Sequence, residues 1–279
     1  MLKTRVITAL LLMAALLPSL FYLPQAQWAL LLAAFVGVGA WEWGALLRWS
    51  ENTRRLLGIG FAGFCALVSF VAPDVIGASD NFQPDTFWVL SIYGLATMFW
   101  CGLMPFWLRS KWSLGGGVAG LLVGLLLLFS TWLALVQLRT LGPVVLLAFF
   151  SIAWVADIAA YFSGRKFGKN KLAPSISPGK TWEGAAGAVL GVMIYGVLAR
   201  SGFAFELVSM LLWVMALVLI TAISIIGDLY ESMLKRQAGI KDSSNILPGH
   251  GGVLDRIDSL TSTMPVIAFL WLILFYIKP

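Results

Sequence analysis

From Glu206 to Asp228 the chain reads ELVSMLLWVMALVLITAISIIGD, and it continues as LYESMLKRQAGIKDSSNILPGHGGVLDRIDS to Ser259. Nothing between Glu206 and Asp228 is charged, and the run is as long as the ~20 apolar residues that a membrane-crossing helix needs. The spacing therefore predicts a spanning helix over 206–228 that ends on a carboxylate. The segment from Ser232 to Ser259 then holds four cations, three carboxylates and the only histidine, in a chain of 279 residues that is 11% charged. Scarce charge gathered next to a membrane span points to chemistry at that place.

The rest of the chain has the same character. It is 60% hydrophobic with a mean hydropathy of +0.90, against ~45–50% apolar and ~25% charged residues in soluble domains. Nine spans are predicted, at 6–24, 27–47, 56–72, 86–107, 115–137, 142–162, 183–199, 206–228 and 259–277. The expected fold is an all-α polytopic membrane protein of about nine transmembrane helices. Residues 1–140 form helices 1–5, and residues 141–279 form helices 6–9 with two long polar loops, 163–184 and 229–258. The first span begins with Lys3 and Arg5 like a signal peptide, but the apolar run continues for a full crossing with no small-residue cleavage site. It reads as a retained helix.

Charge supports this count. With the N-terminus in the cytoplasm, every Lys and Arg falls on the cytoplasmic side except Arg139, Arg200 and Lys278, as the positive-inside bias requires. The net charge of +6 is thus a topology signal. No basic stripe interleaved with aromatics is present, which argues against a nucleic-acid partner. Cys65 and Cys101 lie in apolar runs and read as packed thiols. The glycines from Gly115 to Gly124 lack the Lys-Ser/Thr of a phosphate loop and read as helix-packing positions. Trp28, Trp49, Trp88, Trp107, Trp112 and Trp132 fall near predicted helix ends, as an interfacial belt would, whereas Trp182 falls in a polar loop.

Each long loop follows an aspartate near the end of an apolar helix, Asp157 in one case and Asp228 in the other. If the helix that ends the quoted run continues past the membrane surface, Asp228, Glu231 and Lys235 share one face. Gly239, Pro248, Gly249, Gly251 and Gly252 then break it. The chain restarts near Asp255, with Asp258 three residues on. Asp228, Asp255 and Asp258 can therefore converge, and carboxylate oxygens suit a hard cation such as Mg²⁺. Lys235, Arg236, Lys241 and Arg256 suit phosphate oxygens, and Gly251 and Gly252 let backbone N–H groups approach an anion. The competing reading makes Asp255 and Asp258 caps of the last helix. In the other loop, Ser177-Pro178-Gly179-Lys180-Thr181 presents hydroxyls and an ammonium just before Glu183, a surface on which a triphosphate can lie.

The order Ser232-x2-Lys235-Arg236-x4-Lys241-Asp242-x5-Pro248-x-His250-Gly251-Gly252-x2-Asp255-Arg256-x-Asp258 resembles the signature of the phosphatidate cytidylyltransferases, or CDP-diacylglycerol synthases. The run from Asp157 through Tyr161, Phe162, Gly164, Arg165, Phe167 and Gly168 to Ser177, Lys180, Thr181, Glu183 and Gly184 resembles the same family. The resemblance implies transfer of the cytidylyl group of CTP to phosphatidic acid. It implies Mg²⁺ on Asp228 and Asp255, a second cation such as K⁺, and a homodimer. The expected location is the bacterial inner (cytoplasmic) membrane, with the active site facing the cytoplasm. Charge offset falls to Lys235, Arg236 and Arg256, and a further cation-ligand role to Asp258. Substrate contacts are expected from Asp157, Ser177, Lys180, Thr181, Glu183, Ser232, Lys241, Asp242, His250, Gly251 and Gly252. The alternatives are a CTP-dependent polyprenol or phytol kinase and, in another class, an ion-coupled transporter using Asp157 and Asp228.

Overall fold

The computed structural model describes residues 2–200 and 208–276. Among the described residues, nine helical segments are long and apolar enough to cross a membrane. They are α1 (Leu2–Tyr22), α2 (Gln25–Leu46), α3 (Glu51–Val71), α4 (Phe87–Thr97) continuing into α5 (Met104–Ser110), α6 (Val118–Leu138), α7 (Pro143–Phe167), α8 (Trp182–Ala199), α9 (Met210–Ala238) and α10 (Leu254–Trp271). A π-helical segment, Met98–Leu103, joins α4 to α5. The start of the expected 206–228 span, the end of the last span and Lys278 lie outside the described residues.

The ends of these helices differ from the apolar windows for identifiable reasons. Helix α3 starts at Glu51, where Ser50 accepts from the Thr53 N–H and Glu51 pairs with Arg54 and Arg55 at 3.0 and 2.9 Å. A charged first turn whose charges pair within the helix is helical without being apolar. Helix α9 runs on through Asp228, Glu231 and Lys235 to Ala238 and stops at Gly239, whose φ is +78°. Helix α10 begins at Leu254, so Asp255 and Asp258 both lie in its first turns. Loop 163–184 is more ordered than expected. Helix α7 continues to Phe167, strands β1 (Lys171–Ala173) and β2 (Ser177–Thr181) form an antiparallel hairpin, and Trp182 is the first residue of α8.

The most buried spans are α2, α6 and α10, while α1, α3 and α8 keep most of their surface open. The open surface is apolar, with Leu10, Phe70, Leu190 and Leu211 all exposed, as lipid contact requires. Two of the tryptophans expected at the interface are instead core residues. Trp28 and Trp132 are fully buried in the α2–α6 seam. Each donates its indole N–H across it, to Leu135 O at 3.3 Å and Ala29 O at 3.0 Å. The facing helix supplies the acceptor that interfacial water would otherwise provide. Trp43 does the same to Gly120 O at 3.0 Å, so the glycines of α6 serve helix packing. Cys65 is buried as expected, but Cys101, in the π-helical segment, is exposed.

The cation-bearing loops meet at one end of the bundle. Thr8 donates to Pro248 O, Arg48 donates to Gln237 O, and Gln237 donates to Lys111 O and Trp112 O. The opposite end is tied by Arg139, which donates to Leu20 O, Leu23 O and Gln25 Oε1. There too, Gln137 donates to Val75 O at 3.0 Å and accepts from Tyr93 Oη at 2.9 Å, fully buried. Gln137→Leu leaves both partners unpaired, at about 1–3 kcal/mol for each buried group. Thermal unfolding in detergent is expected to show that loss, with the end that carries the cation-bearing loops unaffected because it lies across the bundle.

Candidate active site

Close approach of α9 to α10 builds the site. A Cβ on Gly227 would collide with the Ser262 side chain, so the small residue before Asp228 lets the two helices touch and brings Asp228 beside Asp258. Asp157 of α7 completes a set of three. Asp157 feels the charge of Asp228, and Asp258 feels the charges of both. Like charges assembled at the edge of an apolar bundle call for cations. Lys180 supplies one, its Nζ standing 2.5 Å from Asp228 Oδ2. Ser232, one turn along α9, donates to Asp228 Oδ1 at 3.2 Å. Arg256 is exposed and within electrostatic reach of Asp157.

A cavity of about 340 Å³ opens beside this pair. Asp157, Tyr161, Arg165, Lys180, Thr181 and Ser224 contribute to its walls. The β-hairpin forms one side. Its base is fixed where Thr181 Oγ1 accepts from the Gly184 N–H at 3.1 Å, capping α8. Glu183 accepts from the Asn170 N–H and side-chain amide at 3.2 and 2.8 Å, binding the start of β1 to the start of α8. Thr181→Val removes the cap and is expected to cost about 0.5–2 kcal/mol. Faster hydrogen exchange at Gly184 is the measurement that checks it.

A second group lies one turn further along α9. Lys235 Nζ bridges Glu231 Oε2 at 2.7 Å and Asp255 Oδ1 at 2.6 Å. The other oxygen of Asp255 accepts from the Ser243 N–H, the Ser243 hydroxyl and the Gly252 N–H at 2.8, 2.9 and 2.8 Å. Asp255 therefore anchors the loop from Gly239 to Val253 and holds a lysine. Gly251 has φ +81°, and a Cβ there would lie 2.6 Å from Asp255 Oδ2, so the paired glycines shape a turn that wraps a carboxylate. His250 donates its backbone N–H to Leu247 O at 2.8 Å, and its buried Nδ1 has no hydrogen-bond partner among the described residues. Ser177 pairs with Ala173 in the hairpin. Arg236, Lys241 and Asp242 are exposed and stand outside both groups.

Of the three carboxylates expected to converge, Asp228 and Asp258 belong to the first group and Asp255 to the second. Among the described residues no three carboxylate, histidine or cysteine side chains enclose a metal position by themselves. The donors nonetheless fit Mg²⁺, which takes one or two carboxylates and leaves the remaining positions to water and substrate phosphate.

The sequence reading missed Glu42. This carboxylate of α2 is fully buried, accepts from the Ser244 hydroxyl at 2.6 Å, and accepts from the Val253 and Leu254 N–H groups at 2.9 and 2.7 Å. The signal was available. Glu42 is a charge inside an apolar span, the same criterion that singled out Asp157 and Asp228.

Residues 3–274 match the cytidylyltransferase family. A protein of Pseudomonas aeruginosa named phosphatidate cytidylyltransferase is 41% identical over 277 residues, covering 97% of both chains. One of the same name from Haemophilus influenzae is 36% identical over 298 residues, covering 97% of this chain and 99% of its own. A third, from Thermotoga maritima, is 40% identical over 132 residues, 46% of this chain and 49% of its own. The matched span includes both charged groups, the cavity and the helix that carries Glu42, and the chain belongs to the cytidylyltransferase family.

Proposed function

We propose that the chain transfers the cytidylyl group of CTP to phosphatidic acid, giving CDP-diacylglycerol and pyrophosphate. The observation that carries this reading is the Lys180–Asp228 pair beside a cavity walled by membrane-spanning helices. A lipid headgroup and a nucleotide phosphate can meet there without the lipid leaving the bilayer. The volume falls within the ~300–1,000 Å³ of small-molecule sites. Family membership and full-length similarity to the phosphatidate cytidylyltransferases support the same substrates.

A phosphate oxygen of phosphatidic acid forms a bond to the α-phosphorus of CTP, and the bond from that phosphorus to the bridging oxygen of the β-phosphate breaks. The nucleophile is already an anion, so the protein's main task is to align two anions and offset their charge. Lys180 does this from the cavity wall, and Arg256 from the exposed start of α10 within reach of Asp157. Lys235, held by Glu231 and Asp255, does it from the loop side, with Arg236 at its edge. Asp157 and Thr181 line the path of the substrate. Mg²⁺, when bound, neutralises triphosphate charge. Asp228 and Asp258 are the carboxylates that would hold it, and Asp255 would join them if Lys235 turned from Oδ1 to phosphate. A second cation such as K⁺, and a homodimer, rest on the family resemblance alone. The positive-inside bias supports a cytoplasmic N-terminus and a site facing cytosolic CTP.

The test is placement of label. With purified protein and phosphatidic acid, label from the α-phosphate of CTP is expected in the lipid, and chelation of Mg²⁺ is expected to stop its incorporation. Entry of γ-label would instead identify a lipid kinase. Transport of solute into sealed vesicles without CTP would identify a transporter.

A further inference from the structure

We infer that Glu42 is a positioning residue for nucleotidyl transfer, setting Lys235 through the loop that Asp255 grips from its other side. The inference rests on the function proposed above.

The loop is held between two carboxylates in alternation. Ser243 and Gly252 donate to Asp255, while Ser244, Val253 and Leu254 donate to Glu42. Helix α10 has Val253 as its N-cap residue, which offers no side-chain acceptor. Glu42 takes over that role from another helix and satisfies two N–H groups at the start of α10. Among the described residues no cation forms an ion pair with Glu42. Its charge is balanced by the loop's own peptide and hydroxyl dipoles, so an open loop would leave a bare carboxylate buried. Loop closure and charge balance are thus one event. A Cβ on Gly252 would collide with Glu42 Oε1 and Ser243 Oγ, which explains a glycine there independently of any anion. The chain of contacts runs from Glu42 to the loop, from the loop to Asp255, and from Asp255 to Lys235 at 2.6 Å.

Glu42→Gln is nearly isosteric but turns one acceptor into a donor. Each of its two orientations sets the new N–H₂ against an N–H or hydroxyl donor. With wild-type transfer established, Glu42→Gln is expected to lower kcat about 10–100-fold, as loss of an outer positioning contact does. KM for phosphatidic acid should stay within about twofold, because the cavity walls are remote from Glu42 in the fold. Hydrogen exchange should quicken across 243–256 and stay unchanged in α2. A purely structural role predicts lower yield or melting temperature with wild-type kcat per folded molecule, and that result overturns the inference. If Glu42→Gln does not fold, Ser244→Ala decides. It removes one donor and leaves two backbone amides on the carboxylate. A kcat several-fold below wild type with faster exchange at 243–256 supports the inference, and wild-type values for both overturn it. Absence of transfer in the wild-type protein would instead refute the function and leave the loop geometry untouched.

Discussion

Asp228→Asn is expected to give a folded, membrane-inserted protein that forms no measurable CDP-diacylglycerol. The two halves of that outcome have separate causes. The Lys180 and Asp228 side chains are 26% and 28% exposed, and a pair that open to solvent contributes at most about 1 kcal/mol to stability. The substitution therefore costs little in folding. It removes the carboxylate that organises Lys180, accepts from Ser232, and faces Asp157 and Asp258. Loss of one preorganised charge at a reacting phosphate costs on the order of 10²–10³ in rate, and the proposed metal-ligand role would add to that. Radiolabelled CTP with phosphatidic acid measures the rate, and thermal unfolding in detergent measures the fold. Near-normal Mg²⁺-dependent turnover would remove Asp228 from the site.

Asp255→Asn should abolish turnover and also destabilise the protein, and the second effect is what separates it from Asp228→Asn. Asp255 receives four donors on its two oxygens and is 4% exposed in its side chain. An amide in either orientation points an N–H₂ at Lys235 or at the Ser243 and Gly252 N–H groups. Breaking a buried pair by neutralising one member costs about 3–5 kcal/mol. Lys235 is left with Glu231 alone, and the loop loses one of its two anchors. A melting temperature equal to that of Asp228→Asn would show that Asp255 does not anchor the loop.

Much of this site was legible in the sequence, and the residues show why. Local periodicity placed Asp228, Glu231 and Lys235 on one face, because α9 continues unbroken past the apolar run. The glycines from 249 to 252 correctly marked a break, since turns demand conformations that the residue type reveals. Convergence of Asp228 and Asp258 followed from two helices ending at the same surface. What stayed hidden depends on contacts between distant parts of the chain. Glu42 meets Leu254 across 212 positions, and nothing local to Gly39-Ala40-Trp41-Glu42-Trp43 announces its partner. Trp28 and Trp132 looked interfacial because hydropathy records where a residue lies along a span and not which way it faces. The β1–β2 hairpin is too short for alternation to reveal it. Asp255 was read as a ligand or a cap, and its grip on Ser243 requires the loop to fold back, which no spacing rule foresees.

The buried carboxylate of α2 also has a consequence for the order in which the protein is made. Glu42 is made with α2, while its donors at Ser244, Val253 and Leu254 follow it by 202, 211 and 212 positions. Until those donors arrive the early helices carry an unpaired buried carboxyl, a burden that an apolar environment makes heavy. Arrival of α10 relieves it and, in the same motion, shapes the loop beside Lys235. Shaping of that loop is thereby tied to the docking of α10 against α2, two helices far apart in the order of synthesis.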